Sequence, residues 1–188
     1  MKEIEKENLL FYPPGGILIW IIILVEIATF FMGIGALLYE KRKALEEFSK
    51  MQSTLHSNFG IWNTIFLITS GFFMALSVNY HKENQVSALG YSLLSAIVFG
   101  LCFLFLKGFE YNEKLSMGQT IHSGDFFTFY WLLTGFHFVH VLAGTIILSC
   151  IFLYRKTISL ENLEAGASFW HMCDLIWVVL FPVFYLIR

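Results

Sequence analysis

Ile17-Leu18-Ile19-Trp20-Ile21-Ile22-Ile23-Leu24-Val25 runs without a polar residue and without any alternation of apolar and polar positions. Lipid-spanning barrel strands alternate with period two. A solid run therefore reads as helix, the other structure that satisfies every backbone group in hydrocarbon. The apolar character continues past Glu26 to Tyr39, and comparable stretches lie at 61–80, 88–109, 126–154 and 167–187. Each has the roughly 20 residues that cross a hydrocarbon layer of about 30 Å. A hydrophobic content of 57% with mean hydropathy +0.67 over 188 residues exceeds what a soluble core buries. The expected fold is an all-α integral membrane protein, with five transmembrane helices at 17–39, 61–80, 88–109, 126–154 and 167–187 in one up-and-down bundle. One membrane domain, 1–188, takes up the chain.

The first span is too long for the core of a cleavable signal and is followed by Glu40-Lys41-Arg42-Lys43, not by small residues, so it is expected to remain a membrane helix. The polar linker 40–60 is expected to extend that helix and to break near Ser57-Asn58. The shorter connections at 81–87, 111–125 and 155–166 favour antiparallel neighbours. Lys2, Lys6, Lys82, Arg155 and Lys156 share the N-terminal side; Lys41, Arg42, Lys43, Lys50, Lys107, Lys114 and Arg188 share the other. Taken alone, this charge bias leans toward an external N-terminus. A net charge of -2 provides no basic surface for nucleic acid.

Ionisable groups recur at membrane depth, where they are costly and mark function or buried pairing. Thr134, His137, His140 or Val141, and Gly144 share one helical stripe; Glu164, Ser168, His171 and Asp174 share another. A network among His137, His140, His171 and Asp174 would remove unpaired polarity from lipid. Glu26 stands well inside the first span, so its carboxyl is either protonated or paired, and its role is open between proton chemistry and packing. Lys107 and Glu110, three residues apart, read as an ion pair at the membrane interface. Trp20, Trp62, Tyr80, Tyr111, Tyr130 and Trp131 read as interfacial anchors.

Cys102, Cys150 and Cys173 fall on three different spans, which excludes paired-cysteine metal motifs and a two-cysteine copper loop. His137, His140 and His171 are too few for two bis-histidine haems or for a haem-copper centre with its low-spin haem. No catalytic, metal or cofactor residue is assigned to the chain. A different class of function, a small proton or ion transporter, would use Glu26, His137, His140 and Asp174 as a path.

Separated motifs, in order, resemble the cytochrome c oxidase subunit III family of the haem-copper oxidases. They are Glu26-Ile27-Ala28-Thr29-Phe30-Phe31, Asn63-Thr64 with Ser70-Gly71, Glu110-Tyr111, Thr134-Gly135-Phe136-His137 with His140 and Gly144, and Glu164-Ala165-Gly166 with Trp170-His171, Asp174 and Trp177. The chain resembles the five-helix form, which lacks the first two helices of the seven-helix form that build a lipid cleft against the rest. Lys107 before Glu110-Tyr111, Phe127-Thr128-Phe129-Tyr130, and the ending from Trp170-His171-Met172 to Phe181-Pro182 look most like the NorE-type branch associated with nitric oxide reductases.

The resemblance implies a non-catalytic accessory subunit in a bacterial-type inner membrane, with a cytoplasmic N-terminus and an external C-terminus, against the charge bias. Its partner would be catalytic subunit I of a cytochrome c or quinol oxidase, or of a nitric oxide reductase, holding the haem and the copper or iron. The subunit would stabilise that partner, support its proton uptake and hold phospholipid. Glu26 corresponds to the family's intramembrane carboxylate, and Glu110, His171 and Asp174 match its polar positions.

Overall fold

The computed structural model describes residues 13–187, all helices and short turns, with five helices long and apolar enough to cross a membrane. Helix α1 is Ile17–Lys43, α2 is the short Leu45–Gln52, α3 is Ser57–Lys82, α4 is Val86–Ser116, α5 is Asp125–Leu153 and α6 is Leu160–Phe181. A π-helical turn, Pro182–Leu186, ends the bundle.

Helices outrun the apolar spans because polar end turns are paired locally or tertiarily. The largest extensions are in α4, which continues past Phe109 to Ser116, and in α6, which starts at Leu160 and not at 167. Lys114, on the α4 extension, is fully buried and donates to the Thr54 carbonyl at 2.8 Å. Linker 40–60 breaks beside Ser57, at 53–56, as expected, but also earlier, at Ala44. Ala44, with φ −133° and ψ 53°, ends α1; α2 turns away on Phe48 and Gln52; and Ser57-Asn58 open α3 instead of closing a helix.

Successive spans run in opposite directions, as the contacts at their ends record. Lys82 at the end of α3 pairs with Glu164 at the start of α6 at 2.9 Å. At the other end of the bundle, Gly60 of α3 lies under Phe181 and Tyr185. The α3–α4 hairpin is the most extensive interface, and Ser70 Oγ of α3 donates across it to the Ala96 carbonyl at 2.6 Å. The order in space departs from the order in sequence at α1, which packs on α5 and α6 rather than on α3, the next span. Its start is fixed by Gly15, whose φ of +77° and approach to the Ala165 backbone leave no place for a Cβ.

Helix α6 reaches the others through large rings. Trp170 is fully buried in a slot between Gly100 of α4 and Gly144 of α5; a Cβ on either glycine would come within 2.8 Å of the indole. Small residues thus admit one bulky side chain, a common solution where lipid supplies no hydrophobic drive. Pro182 cannot continue α-helical hydrogen bonding. The carbonyls at the end of the chain's last turn are collected by Gln52 Nε2, from Phe184 at 3.0 Å and Ile187 at 2.8 Å, while Lys41 Nζ donates to Ile187 at 2.7 Å.

Candidate functional site

Three separate polar centres are built into the bundle. The first is completely enclosed. Lys107 and Glu110 of α4 have no exposed side-chain surface, and Tyr130 of α5 and Tyr185 of the π-helical turn close over them. Lys107 Nζ donates to Glu110 Oε2 at 2.9 Å, to Tyr185 OH at 2.8 Å and to Tyr130 OH at 3.2 Å, using all three ammonium hydrogens. Both phenols donate to Glu110 Oε1, Tyr185 at 2.6 Å and Tyr130 at 2.9 Å. The network is closed, with charge against charge and every strong donor matched. This corrects the reading of Lys107 as a lysine that snorkels toward water and of Tyr130 as an outward-facing anchor: both are enclosed by protein. The physical reason is that α4 extends beyond residue 109, which carries Lys107 and Glu110 under α5 and the chain's last turn.

The second centre joins α1 to α5. His140 Nδ1 lies 2.8 Å from the Phe136 carbonyl; a carbonyl cannot donate, so Nδ1 carries a proton. Nε2 then faces Glu26 Oε2 at 3.2 Å, a close but bent approach that makes no well-aligned hydrogen bond. His137, only one turn away, faces elsewhere. It is fully buried, stacks on Trp177 with centroids 5.4 Å apart, meets Phe103 edge-on at 5.7 Å, and has no hydrogen-bond partner on either nitrogen. Three residues rotate a helical position by about −60°, so Thr134, His137, Val141 and Gly144 form the buried stripe and His140 turns toward α1.

The third centre is on α6. His171 Nδ1 and Asp174 Oδ2 are 3.2 Å apart, and both press against Gly71 of α3, whose missing side chain makes the room. The four-residue network expected among His137, His140, His171 and Asp174 is therefore not formed; it splits into Glu26–His140, His171–Asp174 and an isolated His137. Among the described residues no three His, Cys, Asp or Glu side chains gather in a metal-holding group. The residues that sequence reasoning passed over are Tyr185, as the acid's shortest donor, and Trp170, as the wedge of the bundle. Their motif neighbours were visible, but Tyr185 lies 75 residues from Glu110 and nothing local joins them.

Residues 50–187 match the family model described as cytochrome c oxidase subunit III. A probable cytochrome c oxidase subunit 3 from Mycobacterium leprae (strain TN) is 33% identical over 132 residues, covering 66% of this chain and 64% of that protein. Cytochrome c oxidase subunit 3 of Artemia franciscana is 35% identical over 128 residues, 65% of this chain and 48% of that protein. The chain thus spans about half to two thirds of the length of these relatives. A heme-copper oxidase subunit I+III from Aeropyrum pernix (strain ATCC 700893 / DSM 11879 / JCM 9820 / NBRC 100138 / K1) is 27% identical over 180 residues, 89% of this chain and 22% of that protein.

Proposed function

Because this chain belongs to the cytochrome c oxidase subunit III family, we propose that it is the accessory membrane subunit of a haem-copper oxidase or nitric oxide reductase, bound to a catalytic subunit I. The catalytic subunit holds the haem and the copper or iron; this chain holds none. It shields the flank of that partner, stabilises it and supports its proton supply. The supporting observation is the way its intramembrane acids are placed: Glu26, Glu110 and Asp174 each meet one basic group, His140, Lys107 and His171 in turn. Acids taken up in separate local pairs suit a packing subunit better than a continuous ion path. That one chain carries both subunits in the Aeropyrum relative, by its name, supports the choice of partner.

The reading extends to orientation, lipid and branch. The N-terminus is cytoplasmic and the C-terminus external, in a bacterial-type inner membrane. Phospholipid lies along the bundle, and the open groove lined by Ser87, Gly90, Tyr91, Leu94, Phe152 and Arg155 offers a cation beside apolar walls. Lys107, wholly buried in its cluster, keeps the NorE-type branch in view. Glu26 and His140 are the pair through which proton supply would be felt.

The test is affinity purification of the chain from its native membrane in mild detergent, with an optical haem spectrum and mass spectrometry. A stoichiometric haem-bearing partner is expected, and its identity names oxygen or nitric oxide as substrate. A colourless chain that arrives alone and conducts protons in proteoliposomes would replace this proposal with the transporter.

A further inference from the structure

Glu110 Oε1 takes two phenol hydrogens, from Tyr185 at 2.6 Å and from Tyr130 at 2.9 Å. Other oxidisable rings gather around that shared oxygen. The Trp177 ring lies 6.5 Å from Tyr185, centre to centre. Beyond Glu110, the Tyr130 ring lies 6.2 Å from Tyr111 and 5.7 Å from Trp131, and Tyr111 lies 4.8 Å from Trp131; such spacings are those of directly packed aromatic pairs. Two tryptophans and three tyrosines thus form one column. Trp177 is buried at its inner end. Trp131 is half-buried at its outer end, where the indole donates to the Gln119 carbonyl, in the turn between α4 and α5, at 3.0 Å.

Indole and phenol are the aromatic side chains that give up single electrons, and a phenol does so readily only when its proton leaves too. Lys107 Nζ donates to both phenol oxygens, so its charge opposes a cationic ring at either one. The base that takes the proton is already in contact with each of them, as Glu110 Oε1. Tyr111 has no such base: its hydroxyl donates to Thr134 Oγ1, which in turn donates to the Tyr130 carbonyl. Removing an electron leaves the enclosed network with one uncompensated positive charge, which is costly in a low-polarity core. The hole is therefore better placed on half-buried Trp131 than kept inside.

We propose that this column is a relay carrying oxidising equivalents out of the bundle core, a protective function that does not depend on which partner the chain binds. The oxidant is an oxygen-derived radical of the membrane phase; it takes one electron from Trp177 and becomes an anion that water protonates. Tyr185 refills Trp177 with one electron while its O–H bond breaks and its proton joins Glu110 Oε1. Tyr130 then refills Tyr185 with one electron; Glu110 returns its proton to the Tyr185 oxygen and takes the one from Tyr130. Trp131 gives one electron to Tyr130, Glu110 gives back the proton, and the network regains its starting form. A water-soluble one-electron donor, of the class of ascorbate, refills Trp131 at the polar end.

The experiment exposes the full chain, with whatever partner it brings, to peroxyl radicals from a lipid-soluble azo initiator in proteoliposomes. Mass spectrometry then measures oxidation of each tryptophan. Trp62, 54% exposed on α3 and outside the column, is the standard for direct attack, and fully buried Trp170, also outside it, reports any loosening of the fold. In the parent, oxidation is expected to collect on Trp131, to spare Trp177, and to be suppressed on Trp131 by ascorbate. Tyr130→Phe keeps the ring and removes the phenol; oxidation of Trp177 relative to Trp62 is expected to rise at least fivefold while Trp131 falls and Trp170 stays intact. Trp131→Phe leaves the Glu110 network whole and is expected to raise Trp177 oxidation by a similar factor, so it decides the matter if Tyr130→Phe loosens the bundle. Trp177 oxidation unchanged in the Trp131→Phe variant, or Trp131 oxidation unchanged in a well-folded Tyr130→Phe variant, would overturn the relay.

Discussion

Cutting the enclosed ion pair should reveal how much of the fold depends on it. Lys107→Met keeps the length of the side chain but removes the ammonium, leaving the Glu110 carboxylate buried with two phenol donors and no cation. Breaking a buried pair from one side costs about 3–5 kcal/mol, since the remaining charge is uncompensated. That is roughly two to three and a half powers of ten in the folded-to-unfolded ratio. Glu110→Leu should cost a similar amount, stranding the ammonium with phenol oxygens alone. The double variant removes both charges, and the penalty left is two phenols without their acceptor, about 1–3 kcal/mol each at most. The double variant is thus expected to be less destabilised than the sum of the singles by about 4 kcal/mol. Equilibrium unfolding in mixed micelles with increasing sodium dodecyl sulfate, followed by tryptophan fluorescence, measures all four corners of the cycle. Additive single effects, or a Lys107→Met variant within about 0.5 kcal/mol of the parent, would refute the closed-network argument.

Other substitutions probe the remaining contacts. Glu26→Gln keeps a group that can donate to His140 Nε2, so assembly is expected to survive, whereas His140→Leu should loosen α1 and speed proteolysis at the Ala44 break; loss of the complex with Glu26→Gln would show that the acid itself is needed for packing. Gly144→Val drives a branched side chain into the fully buried Trp170 ring and should cost about 3 kcal/mol or fail to fold, read from the yield of monodisperse protein. Gln52→Ala frees the Phe184 carbonyl, leaves Ile187 with Lys41 alone and should cost about 1–3 kcal/mol, with faster hydrogen exchange confined to the last turn of the chain.

Much of the fold was legible because its causes are local. Hydropathy over a window of one membrane thickness marks each span, and a helix forms its own backbone bonds there whatever its neighbours do. The stripe through Thr134, His137, Val141 and Gly144 was readable for the same reason, as helical geometry alone puts those side chains in a row. The motif order pointed to the family without any contact being known. The helix ends were less legible: a turn such as 110–116 is polar by composition and becomes part of α4 only because Glu110 and Lys114 find partners elsewhere in the chain.

From the sequence alone came five membrane helices, the depth of Glu26, His137, His140, His171 and Asp174, and the family. Only the tertiary structure decided which of them meet. His137 and His140 differ by about 60° around one helix, and that angle sends one against Trp177 and the other to Glu26 on α1. Likewise Tyr185 reaches Glu110 only because Pro182 and the Gln52 clamp turn the end of the chain inward. Insertion into lipid depends on composition along the chain, whereas the pairing of buried charges depends on rotation and register between helices far apart in sequence.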